Sequence, residues 1–186
     1  MRYNRRILRL VTVFAILIEL FNMMRVLLFT NAKLSTLNNR IYFSFYAVLF
    51  VLCLAFLIVD FGVKLSPRVR YVMYMAGASI FILWHTLFNM YDIYRAHAEG
   101  NITITTALVA FSALFLMRPG YALCNLIVNY GIFACFLSRT LSSGEVINFT
   151  ITVLLCIVIY LVRYWHMRIE LEQKRTIEDI HQELTE

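Results

Sequence analysis

At 186 residues, 61% of them apolar and only 15% charged, with a mean hydropathy of +0.74, this chain lies outside the composition of a soluble globular domain. Its formal net charge of +6 comes from 17 Lys and Arg against 11 Asp and Glu. The basic residues gather at the ends of apolar stretches, so membrane orientation and anionic lipid account for them and no nucleic-acid partner is expected.

Six apolar windows approach the length needed to cross a hydrocarbon core of about 30 Å. They cover 7–29, 41–63, 71–91, 102–117, 121–138 and 146–162. The expected fold is therefore all-α: a polytopic six-helix transmembrane bundle, 1–162, whose last helix continues as a coiled-coil-like cytoplasmic signalling helix, 163–186. The first window is longer than a signal-peptide core and lacks a small-x-small cleavage site, so it reads as a retained span. Glu19 sits near its middle, where an unpaired ionised carboxylate costs on the order of several kcal/mol. Asn22 and Arg25 follow at three-residue steps and extend a polar ladder toward the outer surface.

Asp60 lies near the inner end of the second span. In the third, Trp84, His85 and Asn89 lie within about two turns, with Asp92 at the exit. His85 has three readings: a packed core histidine, part of an outer-half ligand pocket with Glu19, or a haem ligand. The last would need a second intramembrane histidine, but His97 falls in an outer loop and His166 at the inner boundary, so no cofactor is expected. The fourth to sixth windows are short, at 16 to 18 residues. Their ends would dip into the interface or thin the bilayer. Arg118-Pro119-Gly120 makes the fourth and fifth a hairpin. Tyr121, Asn125 and Asn129 then share one helix face, either as ligand-sensing groups or as interhelical glue. Cys53, Cys124, Cys135 and Cys156 all fall in apolar windows and read as packing residues, without metal-ligand spacing.

With the N-terminus inside, twelve basic residues flank the cytoplasmic side and five the outer side. That pattern predicts a multi-pass membrane protein with both termini in the cytoplasm. The outer loops, Thr30–Arg40, Asp92–Asn101 and Arg139–Glu145, are too short to form a ligand-binding domain. Any signal must be sensed within the bilayer or in a shallow vestibule. No internal repeat supports an inverted-repeat transporter.

No Gly or Pro separates the last span from the charged tail, which holds six of the 11 acidic residues. Arg163 and Tyr164 open an interfacial collar. Glu170–Lys174, Lys174–Glu178 and Arg175–Asp179 have the spacing of helical ion pairs. Ile177, Ile180 and Leu184 fall at a, d and a of a heptad, whereas Glu170 and Gln173 occupy the preceding a and d positions. A parallel homodimer, loose near the membrane, is expected; a solvated unpartnered tail is the simpler alternative. His181 with its acidic neighbours lacks the Arg and Pro of a histidine-kinase phospho-acceptor box.

Ile147, Asn148, Arg163, Tyr164, Glu172, Gln173, Lys174, Ile177, Glu178, Glu183 and Leu184 form a pattern that resembles the last span and signalling helix of membrane-anchored diguanylate cyclases of Gram-positive bacteria. The likeness covers about a fifth of the chain. It implies a multispan sensor region in a bacterial plasma membrane that drives a cytoplasmic GGDEF domain, either missing from this sequence or a separate effector. The sequence contains no Gly-Gly pair, so no catalytic residue is carried over and these residues are not expected to be an enzyme. The sensor region of a histidine kinase is similar in architecture. Two readings from other classes are a small six-span channel or transporter lined by Glu19 and the Asn ladders, and a structural subunit whose tail docks a partner.

Overall fold

The structure, a computed structural model, describes residues 2–96, 101–140 and 143–183, and these are helical apart from short connections. Helix α1 (Arg2–Met24) passes into a π-helical turn, Arg25–Phe29. It is followed by α2 (Leu37–Gly62), α3 (Pro67–Ala96), α4 (Ile102–Leu114), α5 (Pro119–Thr140) and α6 (Ser143–Glu183). All but α4 are long and apolar enough to cross a membrane.

Local chemistry sets the helix boundaries. Thr36 caps α2 by accepting a hydrogen bond from the Asn39 amide at 3.3 Å. Ser66 does the same for the Val69 amide at 3.4 Å, and Pro67 stands in the first turn of α3, where its missing N–H costs nothing. Pro119 has the same place in α5, and the Arg118 carbonyl accepts from the Tyr121 and Ala122 amides at 3.0 and 3.1 Å.

Two compact units meet at Ala107 and Leu108, inside the α4 sequence. In the first, α1 buries Leu8, Thr12, Ala15 and Glu19, a stripe of helical period that the π-helical turn continues with Val26, and α2 buries Tyr46, Leu49, Cys53 and Asp60. Glu19 and Asp60 therefore lie on the inward faces of their helices rather than toward lipid. The ends of α1, α2 and α3 that hold Arg5, Asp60 and Tyr74 are fastened together. Arg9 Nε donates to Asp60 Oδ2 at 2.5 Å, Arg5 Nη2 to the Asp60 carbonyl at 3.2 Å, and the Tyr74 hydroxyl to Asp60 Oδ1 at 2.7 Å. Arg9 also lies over the Phe61 ring, 4.0 Å from its centroid.

In the second unit, α5 buries Ala122, Leu126, Asn129, Phe133 and Leu137, and α6 buries Phe149, Val153, Cys156 and Tyr160. Phe133 meets Phe149 edge to face at 4.7 Å, and the Tyr130 and Thr150 hydroxyls lie 3.0 Å apart. Cys53 and Cys156 are buried as packing residues, but Cys124 and Cys135 are exposed on α5, contrary to the sequence expectation. A cysteine in an apolar window can point either inward or outward, and hydropathy does not separate the two.

The fourth window departs most from expectation. Its helix stops at Leu114 after 13 residues, about 20 Å, and 115–118 is not helical. The physical cause is Pro119, which disfavours helical backbone at Arg118. Four residues can add at most about 13 Å, enough to complete a crossing. Non-helical backbone at such depth needs partners within the protein. Tyr160 supplies them: its hydroxyl donates to the Met117 carbonyl at 2.6 Å and accepts from the Met117 amide at 3.2 Å. Arg163 Nη2 donates to the Leu114 carbonyl at 3.3 Å.

Helix α6 runs unbroken through 160–172, the expected joint. Its bundle-facing stripe ends at Tyr160, Arg163 and Tyr164 are half-buried, and every residue from Arg168 to Gln182 is exposed. The rod carries an Arg168–Glu172 ion pair at 3.0 Å, two residues before the expected Glu170–Lys174 pair. Leu184, the last expected heptad position, lies outside the described residues.

Candidate functional site

The π-helical turn at the end of α1 faces a polar cavity of about 600 Å³ within the first unit. Such turns recur at functional sites because one extra residue per turn re-aims the side chains around them. Glu19, Asn22 and Arg25 line the cavity from α1, Asn38, Tyr42 and Tyr46 from α2, and Trp84, His85, Phe88 and Asp92 from α3. Five of the expected sensing residues are thus brought together: Glu19, Asn22, Arg25, Trp84 and His85.

Glu19 dominates this vestibule. The residue is 4% exposed, and its carboxylate receives a hydrogen bond from Asn22 on the next turn. Its second oxygen, Oε2, is buried without a hydrogen-bond partner. An oxygen in that state forgoes roughly 1–3 kcal/mol, more if charged. By contrast, the rim is well satisfied. Tyr42 donates to Asp92 Oδ1 at 2.5 Å, Tyr91 to Asn38 Oδ1 at 3.0 Å, and Arg25 Nη2 reaches the Tyr46 hydroxyl at 3.4 Å.

His85 Nδ1 lies 2.8 Å from the Phe81 carbonyl one turn back, and its ring packs 4.2 Å from Phe81 and 4.8 Å from Trp84. It is at once a held histidine and a wall of the cavity that Glu19 also lines. Trp84 Nε1 donates to the Phe45 carbonyl at 3.1 Å, which fixes the indole against Phe88, stacked at 5.1 Å with an interplanar angle of 10°. Beneath the carboxylate, Ala15, Leu49, Cys53 and Trp84 form an apolar cluster with Ile16, Phe45 and Phe88 packed on it. By helix register Ala15 is one turn below Glu19, and with Leu49 and Cys53 it also lines a separate apolar cavity of about 310 Å³.

The three other expected sensing residues are not among those that line this cavity. Asn89, 1% exposed, accepts a hydrogen bond at Oδ1 from the Ile104 amide at 3.0 Å. Ile104 is in the first turn of α4, whose amides have no partner within their own helix, so α3 caps α4 through a side chain. Asn125 and Asn129 belong to the second unit and donate to the Tyr121 and Asn125 carbonyls one turn back on α5, at 3.0 and 2.9 Å. Sequence reading missed the rim tyrosines Tyr42 and Tyr46, since isolated tyrosines in an apolar window resemble interfacial anchors. It also missed the Arg5–Arg9–Asp60–Tyr74 cluster, which joins residues more than fifty positions apart.

Among the described residues, no group of three or more His, Cys, Asp or Glu is placed to hold a metal ion. No family model, curated protein or solved structure matches this chain.

Proposed function

We propose that this chain is the membrane sensor and transducer of a signalling protein, embedded in a plasma membrane with both termini in the cytoplasm. The vestibule receives the signal, and α6 passes it, as a rotation or shift, to a cytoplasmic output domain. The resemblance of 147–184 to membrane-anchored diguanylate cyclases makes a GGDEF domain the favoured output.

One observation carries this reading: α6 is continuous from Ser143 to Glu183, packed along one face at its start and bare from Arg168 onward. A helix without a hinge conveys displacement along its length. Two anchors on the α4 segment connect the vestibule to that lever. Asn89, on the helix that lines the cavity, holds the start of α4, while Tyr160 and Arg163 of α6 hold its end and the linker after it. A signal that moves α3 therefore acts on a segment that grips α6.

The exposed Ile177 and Ile180 pair in a parallel homodimer, and the polar Glu170 and Gln173 leave the membrane-proximal seam weakly specified. That weakness makes the seam the bistable element. Gln173→Leu, tested with a diguanylate cyclase domain fused to the helix, would bury two further leucines per dimer. A gain of about 1.4 kcal/mol shifts a two-state population tenfold. Cyclase activity in membranes is expected to move about tenfold and to lose its response to stimulus. Unchanged activity and response would remove the transducer reading.

A further inference from the structure

We infer that the vestibule recognises a small organic cation, a protonated amine carried on an apolar body. This deepens the sensor reading and depends on it only for the consequence of binding, not for binding itself.

The argument starts from Glu19, a residue 4% exposed that lines the cavity of about 600 Å³ and whose Oε2 is buried without a hydrogen-bond partner. Natural proteins rarely leave such an atom unsatisfied, so each exception calls for an explanation, an absent ion among them. An ammonium supplies both the N–H donor and the opposite charge. The formal charges facing the cavity are Glu19 and Asp92 against Arg25, one negative in excess with His85 counted as neutral. Arg25 is exposed at the mouth and already directed at the Tyr46 hydroxyl, so it does not neutralise the carboxylate at depth.

The walls fit the rest of such a molecule. Trp84 and Phe88 are stacked, and Tyr42 packs edge-on against Phe88 at 5.8 Å. Aromatic faces attract cations, and also cover an apolar body. Asn22, Asn38 and Thr30 add polar groups that can orient the ligand. An anion would meet two carboxylates, so it is disfavoured. A bare metal cation would find one free carboxylate oxygen where hard cations require about six oxygen ligands.

The test uses the full chain in lipid nanodiscs, with Trp165→Phe leaving Trp84 as the sole indole reporter. Three probes share one ring and differ in head charge: benzylammonium, benzyl alcohol and benzoate. Benzylammonium is expected to change Trp84 fluorescence saturably, with benzyl alcohol at least tenfold weaker and benzoate without effect. Glu19→Gln should lower benzylammonium affinity at least tenfold and leave the alcohol unchanged. Should that variant fail to fold, Asp92→Asn at the rim should still weaken the amine by about threefold and not the alcohol. Equal binding of alcohol and amine, preference for benzoate, saturable binding of none, or undiminished amine binding by the Glu19→Gln variant would each overturn the proposal. None of those results bears on the Gln173→Leu experiment, so the failure of this inference and of the transducer reading remain distinguishable.

Discussion

Asp60→Ala is expected to destabilise the first unit by about 3 kcal/mol, the low end of what breaking a buried charge pair costs. The Asp60 side chain is 0% exposed and accepts from Arg9, Arg5 and Tyr74, which come from both neighbouring helices. Removing it unties the ends of α1, α2 and α3 in one step. Two guanidiniums and a phenol then lose their acceptor. The arginine side chains retain 32% and 27% exposure, so they can turn toward headgroups, which keeps the loss from reaching the upper end of the range. Equilibrium unfolding in mixed micelles measures the effect. A loss below about 1 kcal/mol would show that the cluster behaves as an exposed surface pair. Asp60→Asn separates charge from hydrogen bonding: it keeps an oxygen for Tyr74 and should cost less.

Tyr160→Phe is the second large effect, at about 2 kcal/mol. The ring is 1% exposed, so the phenylalanine fits without a cavity, and only the hydroxyl is lost. That hydroxyl satisfies both the amide and the carbonyl of Met117, in a linker outside any helix. Each buried group left unpaired costs roughly 1–3 kcal/mol, and relaxation of the four-residue linker offsets part of the sum. The substitution also reports on coupling. With an output domain fused to α6, the Tyr160→Phe protein should fold, bind the vestibule probe as before and respond weakly to it. Full stability together with a full response would show that the Met117 contact neither holds the linker nor transmits anything.

The helical class and the positions of five long helices were legible because hydropathy is a composition signal that packing does not override. The continuous α6 was legible for the same kind of reason, the absence of Gly and Pro across 146–183. Part of the vestibule could also be read. Glu19, Asn22 and Arg25 are spaced to share a face, and a carboxylate in an apolar window is costly unless it is paired or protonated.

What could not be read depends on contacts distant in sequence or on backbone detail. The π-helical turn at Arg25–Phe29 has no composition signature. Pro119 bears on the early end of α4, but the linker beyond it is held by Tyr160, 43 positions past Met117. Asn89 was grouped with His85 because both lie on α3, yet it faces the α4 amides and not the cavity. Helical spacing indicates that two residues can share a face, and only packing decides which neighbour they meet.

A stiff lever that conveys rotation has a signature that no passive tail shares. One to seven alanines inserted between Arg168 and Ile169, ahead of a fused diguanylate cyclase domain, turn the output by about 100° per residue. Cyclase activity should then oscillate with insert length, lowest near half a turn and recovering close to the parent value at seven residues, nearly two full turns. Activity that stays level through the series, or falls steadily with length, would contradict a rotating rod and leave α6 as a tether.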